Sequence, residues 1–257
     1  MPTELHHFTW CLNGPLAFLP LHAAGDYSAQ AEVGSKLSDY AVSSYIPSLT
    51  ALSNAQQPRE LTNSTVLTVN LPVEGELPYS SKEIAAINHV LGSSKPVELS
   101  EENASAENVK KGMEKYSFIH FACHGQQDLT DPTQSALLLA NKGRLTLEDI
   151  IDLKLPHAQL AFLSACETAA GDIKIQEEAF HLAGGLLIAG YRGVVGTLWA
   201  IQDSDGPLVA QEFYKQLSKD GTLDVKQAAY ALHHAVQKLR IQSNSFLQWV
   251  PFIHLGI

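Results

Sequence analysis

Four stretches of this chain, 64–71 (STVLTVNL), 117–123 (SFIHFAC), 159–165 (QLAFLSA) and 193–199 (GVVGTLW), are apolar in continuous runs, and helical patterns separate them. A strand that is apolar on both faces has to be covered on both, which a sheet with helices on one side only does not provide. Strand–helix alternation at this spacing builds βαβ units and a mostly parallel sheet. The expected architecture is therefore α/β, a three-layer sandwich with a mostly parallel central sheet flanked by helices. The helices are expected at 80–92, 104–116, 177–191, 204–219 and 224–240, with a further short strand at 95–100. In the first of these, Ser stands at the N-cap, Glu83 in the first turn and Gly92 at the stop. SALLLA (135–140) and GRLTLEDIIDL (143–153) read as a hairpin-like strand pair and a short helix capped by Thr146. The apolar tail from 244 packs as a last strand or loop.

The first 57 residues lack this rhythm. GPLAFLPLHAAG (14–25) and YAVSSYIPSLTAL (40–52) read as two or three short strands and a loop. The chain is thus divided into a small strand-rich segment, residues 1–60, and an α/β core, residues 61–257, with the boundary between Pro58 and Thr65.

Charge and cysteine content narrow the function. With 17 Lys and Arg against 27 Asp and Glu, the net charge of −10 argues against nonspecific nucleic-acid binding and against acidic membranes. Three cysteines, Cys11, Cys123 and Cys166, do not make a disulfide framework, so a reducing compartment is expected. The N-terminus lacks the basic and apolar regions of a signal peptide, and glycines and Arg192 interrupt the longest apolar run. A soluble cytoplasmic protein is the expectation.

The chemistry gathers at two strand exits. FIHFACHG (118–125) ends on Cys123, His124 and Gly125, and LAFLSACET (160–168) places Cys166 at a similar exit. In open parallel sheets functional residues collect beyond the carboxyl ends of the strands. Consecutive βαβ order makes these two strands neighbours. A thiol is a strong nucleophile once deprotonated, and a nearby imidazole can take its proton and later protonate a leaving amine. The N–H groups of Gly125 and Cys166 can jointly receive an oxyanion. Cys123, still within its strand, is expected in the core, and Cys11 beside Trp10 in packing. His120 and His124 would be about 13 Å apart in an extended segment, too far to share a metal. No metal or other cofactor is expected. The glycines of GYRGVVGTLW precede and occupy a strand, so they are not a dinucleotide loop.

The order of these residues, histidine first and cysteine on the next strand, is that of caspase-like proteases. HFACHG with LSACET, followed by AFHLAGGLLIAGYRGVVGTLWAIQD and preceded by the 14–52 segments, resembles the CHAT domain, a caspase-like module related to caspases and separase. The similarity runs over nearly the whole chain. It implies a caspase-like sandwich and peptide-bond hydrolysis, with His124 as acid/base, Cys166 as nucleophile and a backbone oxyanion hole at Gly125 and Cys166. The implied partner is a protein or peptide substrate. An activating or TPR-type module, in a longer chain or in trans, is also implied, since such domains often follow TPR repeats.

Four further residues are candidates for substrate binding. Trp199 is either a core aromatic or a wall of the pocket for the residue preceding the scissile bond. Separase carries an acid directly after the matching Trp; here that position is Ala200. Asp203 and Asp205 lie close enough in sequence to restore a negative pocket, although Asp205 equally suits a helix cap. Glu167 lines the cleft or serves as a first-turn helix acid. The alternative from another class is a catalytically silent caspase-like scaffold or interaction module, and a third reading is a hydrolase of small amides.

Overall fold

The computed structural model describes residues 5–61, 64–71, 78–92, 94–126, 128, 130–164, 178–219, 221–243 and 245–257. Along the chain run β1 (His6–Trp10), β2 (Ala41–Tyr45), α1 (Leu49–Gln56), β3 (Val66–Asn70), α2 (Ser80–Leu91), β4 (Val97–Ser100) and α3 (Ala106–Lys115). Next come β5 (Phe118–Ala122), β6 (Gly125–Gln126), β7 (Ala136–Leu138), β8 (Arg144–Thr146), α4 (Leu147–Asp152) and β9 (Leu160–Leu163). The chain continues with α5 (Glu178–Ala189), β10 (Gly193–Thr197), α6 (Gly206–Leu217), β11 (Ser218–Lys219) and β12 (Thr222–Leu223). It closes with α7 (Ala228–Gln242), α8 (Phe246–Trp249) and β13 (Phe252–Gly256).

Eight strands form the central sheet in the order β1-β2-β13-β10-β9-β5-β3-β4. Every neighbouring pair is parallel except β10 and β13. The four apolar runs of the sequence are its β3, β5, β9 and β10, and the tail is strand β13. Because side chains alternate across a strand, each run feeds two cores. Leu67, Val69, Ile119, Phe121, Ala161 and Leu163 join one buried cluster with residues of α3, α4 and α5. Val66, Phe118, Leu160 and Phe162 join a second cluster with residues of α2, α6 and α7. The sheet is thus the middle layer of an α/β/α sandwich, as a caspase-like fold requires.

Local signals hold where the chain is regular. Thr146 closes a reciprocal capping box with Asp149 at the start of α4, and Ser105 caps α3 through the Asn108 N–H. Gly92 ends α2 at φ 51°, a left-handed backbone that glycine adopts without strain. The strand pair expected after residue 135 is β7 and β8, antiparallel to each other and joined by β6.

Three local expectations change. The 40–52 stretch, read as strand and loop, holds β2 and then the start of helix α1, which Ser48 caps through the Ala51 N–H. Residues 14–25 hold two 3-10 turns, Gly14–Phe18 and Leu21–Ala23, where strands were expected. Pro15 at the first turn and Pro20 before the second preset such turns and remove donors a ladder would need. Tyr79, not a serine, occupies the N-cap of α2, and Ser80 is the first helical residue. Among the described residues no helix is long and apolar enough to cross a membrane.

Candidate active site

After β3 the chain passes to β4 on one side, then returns to β5 on the other, so the winding reverses between β3 and β5. In such sheets a reversal of winding marks the usual place for a site, beyond the carboxyl ends of the strands. β5 and β9 lie side by side and parallel, with Phe121 paired to Leu163. The Ser164 N–H donates to the Phe121 carbonyl at 2.8 Å, extending the ladder one rung. His124 is the third residue after Phe121, and Cys166 is the third after Leu163. Cys166 and Glu167 lie outside the described residues.

His124 is 8% exposed, at the rim of the sheet, and its carbonyl accepts from the Leu138 N–H at 2.8 Å. Gly125 pairs with Leu137 across the antiparallel β6–β7 ladder. Hydrogen-bonded and non-bonded pairs alternate along such a ladder. Since His124 and Leu138 bond, Gly125 belongs to a non-bonded pair and turns its N–H away from β7. A Cβ built on Gly125 would meet none of the described residues within 4 Å. Cys123 is fully buried in the core, as expected, although β5 ends one residue before it, and Cys11 is half-buried against the same cluster.

The loop after β10 carries Trp199, Asp203 and Asp205. Trp199 is half-buried against both cores and donates its indole N–H to the Leu247 carbonyl at 3.2 Å. The Asp203 carboxylate accepts from the Tyr79 N–H at 2.8 Å, which ties this loop to the start of α2. Burial raises the Asp203 carboxyl above the usual carboxylate range and the Tyr79 N–H opposes this; the Glu83 charge adds to the rise and His124 counters it. Asp203 and His124 are therefore electrostatic neighbours. Asp205 is 7% exposed and makes no side-chain cap to α6; its carboxylate accepts from the Gln248 amide at 3.2 Å. Burial raises its carboxyl, against the pull of that amide.

A polar cluster lies beneath the strand exits, and sequence reading missed most of it. Glu83, 2% exposed on α2, uses both carboxylate oxygens. Oε1 lies 3.1 Å from His120 Nε2, and Oε2 accepts from the Ser164 hydroxyl at 3.0 Å. A carboxylate only accepts, so His120 carries its proton on Nε2 toward Glu83. Its Nδ1 lies 3.3 Å from the Tyr214 hydroxyl, and its ring stacks on Phe162 with centroids 4.7 Å apart. Burial and the nearby Glu83 charge push the Tyr214 hydroxyl up. In sequence, Glu83 looks like an ordinary first-turn helix acid. No local pattern announces partners that stand 37 and 81 residues away.

This doubly wound α/β/α sandwich, with a histidine at the exit of one central strand and a cysteine beyond the exit of its neighbour, is of the caspase-like class. The model of the CHAT domain matches residues 2–257, and the chain belongs to that family, which is related to the caspase-like cysteine proteases. No curated protein matches the chain. Among solved structures it is similar to the Saccharomyces cerevisiae separase–securin complex at 2.6 Å, with TM-score 0.58 and 18% identity over 86% of this chain and 14% of that one. It is also similar to the complex of Porphyromonas gingivalis RgpB pro- and mature domains, with TM-score 0.64 and 11% identity over 98% of this chain and 64% of that one. The Arg-specific cysteine proteinase gingipain R gives TM-score 0.58 and 11% identity over 91% of this chain and 58% of its own. At these identities the likeness is one of fold. The chain spans about a seventh of the separase chain it matches, since the covered share there is 14%.

Proposed function

We propose that this CHAT domain is a cysteine endopeptidase in which His124 and Cys166 form the catalytic dyad. The observation that carries the reading is their equal offset beyond a paired rung of two adjacent parallel strands, Phe121 and Leu163. The Cys166 thiolate attacks the peptide carbonyl carbon, forming a C–S bond as the carbonyl electrons move to oxygen. The N–H groups of Gly125 and Cys166 receive that oxyanion, each worth about 3–4 kcal/mol in the transition state. Collapse breaks the C–N bond, and His124 delivers its proton to the leaving amine. Water, deprotonated by His124, then hydrolyses the thioester and frees Cys166. The outward Gly125 N–H supports the oxyanion role.

Trp199, Asp203, Asp205 and Glu167 would flank the substrate side chain preceding the scissile bond. The substrate is a protein or peptide in the cytoplasm, and an activating or TPR-type module acts in a longer chain or in trans. Neither nucleic acid nor membrane is a partner in this reading. The test is Cys166→Ala against a mixed peptide library, with thermal unfolding as the control. Cleavage should vanish with the unfolding temperature unchanged. Cleavage at the parent rate would refute the dyad.

A further inference from the structure

We propose that Glu83 is a positioning residue for the peptidase dyad, tying the middle of β5, at His120, to the exit of β9, at Ser164, from α2, and so fixing the two strands that lead to His124 and Cys166. The inference rests on the peptidase reading of those two residues. His120 stands four residues before His124 on β5, and Ser164 two before Cys166 at the exit of β9. One carboxylate bonds both, with one oxygen for each. Its partners are themselves fixed: Phe162 of β9 stacks on His120, Tyr214 of α6 reaches the far ring nitrogen, and the Ser164 N–H is held by the Phe121 carbonyl.

The start of α6 is shaped around this carboxylate. A Cβ on Gly206 would stand 2.8 Å from Glu83 Oε2 and 3.4 Å from Ser164 Oγ. The start of α2 also gathers the third strand exit, because the Tyr79 N–H holds Asp203 of the loop after β10. Displacement of reacting groups by about 1 Å, caused far from the chemistry, costs about 100-fold in rate.

The experiment compares the parent protein with Glu83→Gln, Ser164→Ala, their double variant and His124→Ala. Two readouts are taken: alkylation of Cys166 by iodoacetamide at pH 6, followed by mass spectrometry of its peptide, and kcat and KM on a peptide drawn from the mixed library. In alkylation the thiolate displaces iodide to give a thioether. Glu83→Gln and Ser164→Ala should each lower kcat about tenfold or more and slow alkylation, with KM within about threefold of the parent. The double variant should be no slower than the slower single one, because both remove the same clamp. Ser164→Thr, which keeps the hydroxyl, should restore the rate. If Glu83→Gln does not fold, Ser164→Ala and Ser164→Thr decide the matter. Parent-like rates in Ser164→Ala, or additive losses in the double variant, would overturn the clamp while leaving the dyad standing. Equal alkylation of Cys166 in the parent and in His124→Ala would instead overturn the peptidase reading, and the clamp with it.

Discussion

Gly206→Ala sets two rules against each other. Helix propensity favours alanine over glycine by about 1 kcal/mol, and α6 begins at Gly206 with helical dihedrals, φ −50° and ψ −54°. The tertiary structure opposes it, because the new Cβ would fall 2.8 Å from Glu83 Oε2. A flexible carboxylate would step aside at little cost. This one is buried and held by His120 and Ser164, so moving it breaks a hydrogen bond to a charged group, worth about 1.5–3 kcal/mol. Subtracting the propensity gain leaves a loss of about 0.5–2 kcal/mol, or roughly 1–8 °C in Tm for a domain of this size. Gly184→Ala, within α5, is the control, since a Cβ there would meet nothing within 4 Å. It should raise Tm, as propensity alone predicts. Calorimetry of the two variants beside the parent reads both signs. A Tm for Gly206→Ala at or above that of Gly184→Ala would refute the buried-carboxylate argument.

Acid should unfold the protein early. Burial holds His254 at about 3, His22 at about 4 and His233 at about 4, all below the ordinary 6.5. Folded pKa values below the unfolded one mean that these groups leave stability intact above pH 6.5 and subtract from it as pH falls below, by roughly 1.4 kcal/mol per pH unit for each histidine. Tm should therefore drop steeply between pH 6.5 and 5, and a flat profile over that window would contradict the burial of these rings. Thr146→Ala removes the capping box of α4 and should lower stability by about 1 kcal/mol, read from urea unfolding. An unchanged midpoint would show that α4 is held by packing alone.

Much of the layer structure was legible because burial on both faces leaves a local mark. The runs around Val66–Asn70, Phe118–Ala122 and Leu160–Leu163 had no polar alternation, and each lies between two helical layers. Cys123 read as core too, and it is buried although the strand ends at Ala122. Where proline and tertiary contact compete with apolar content, the reading failed: residues 14–25 turn rather than extend. Asp205, a fair cap candidate by position, gives its carboxylate to Gln248 instead, a partner 43 residues away.

By itself the sequence determined an α/β chain with strand exits at His124 and beyond Ser164, since alternation, length and turn residues act over a few neighbours. It also determined which residue types stand at those exits. The adjacency of β5 and β9, expected from their consecutive order, is borne out; only the tertiary structure decided that α2 packs where Glu83 is buried against His120 and Ser164. A hydrogen bond between residues 81 apart is chosen by which strands and helices become neighbours, and that choice is made by the whole fold at once.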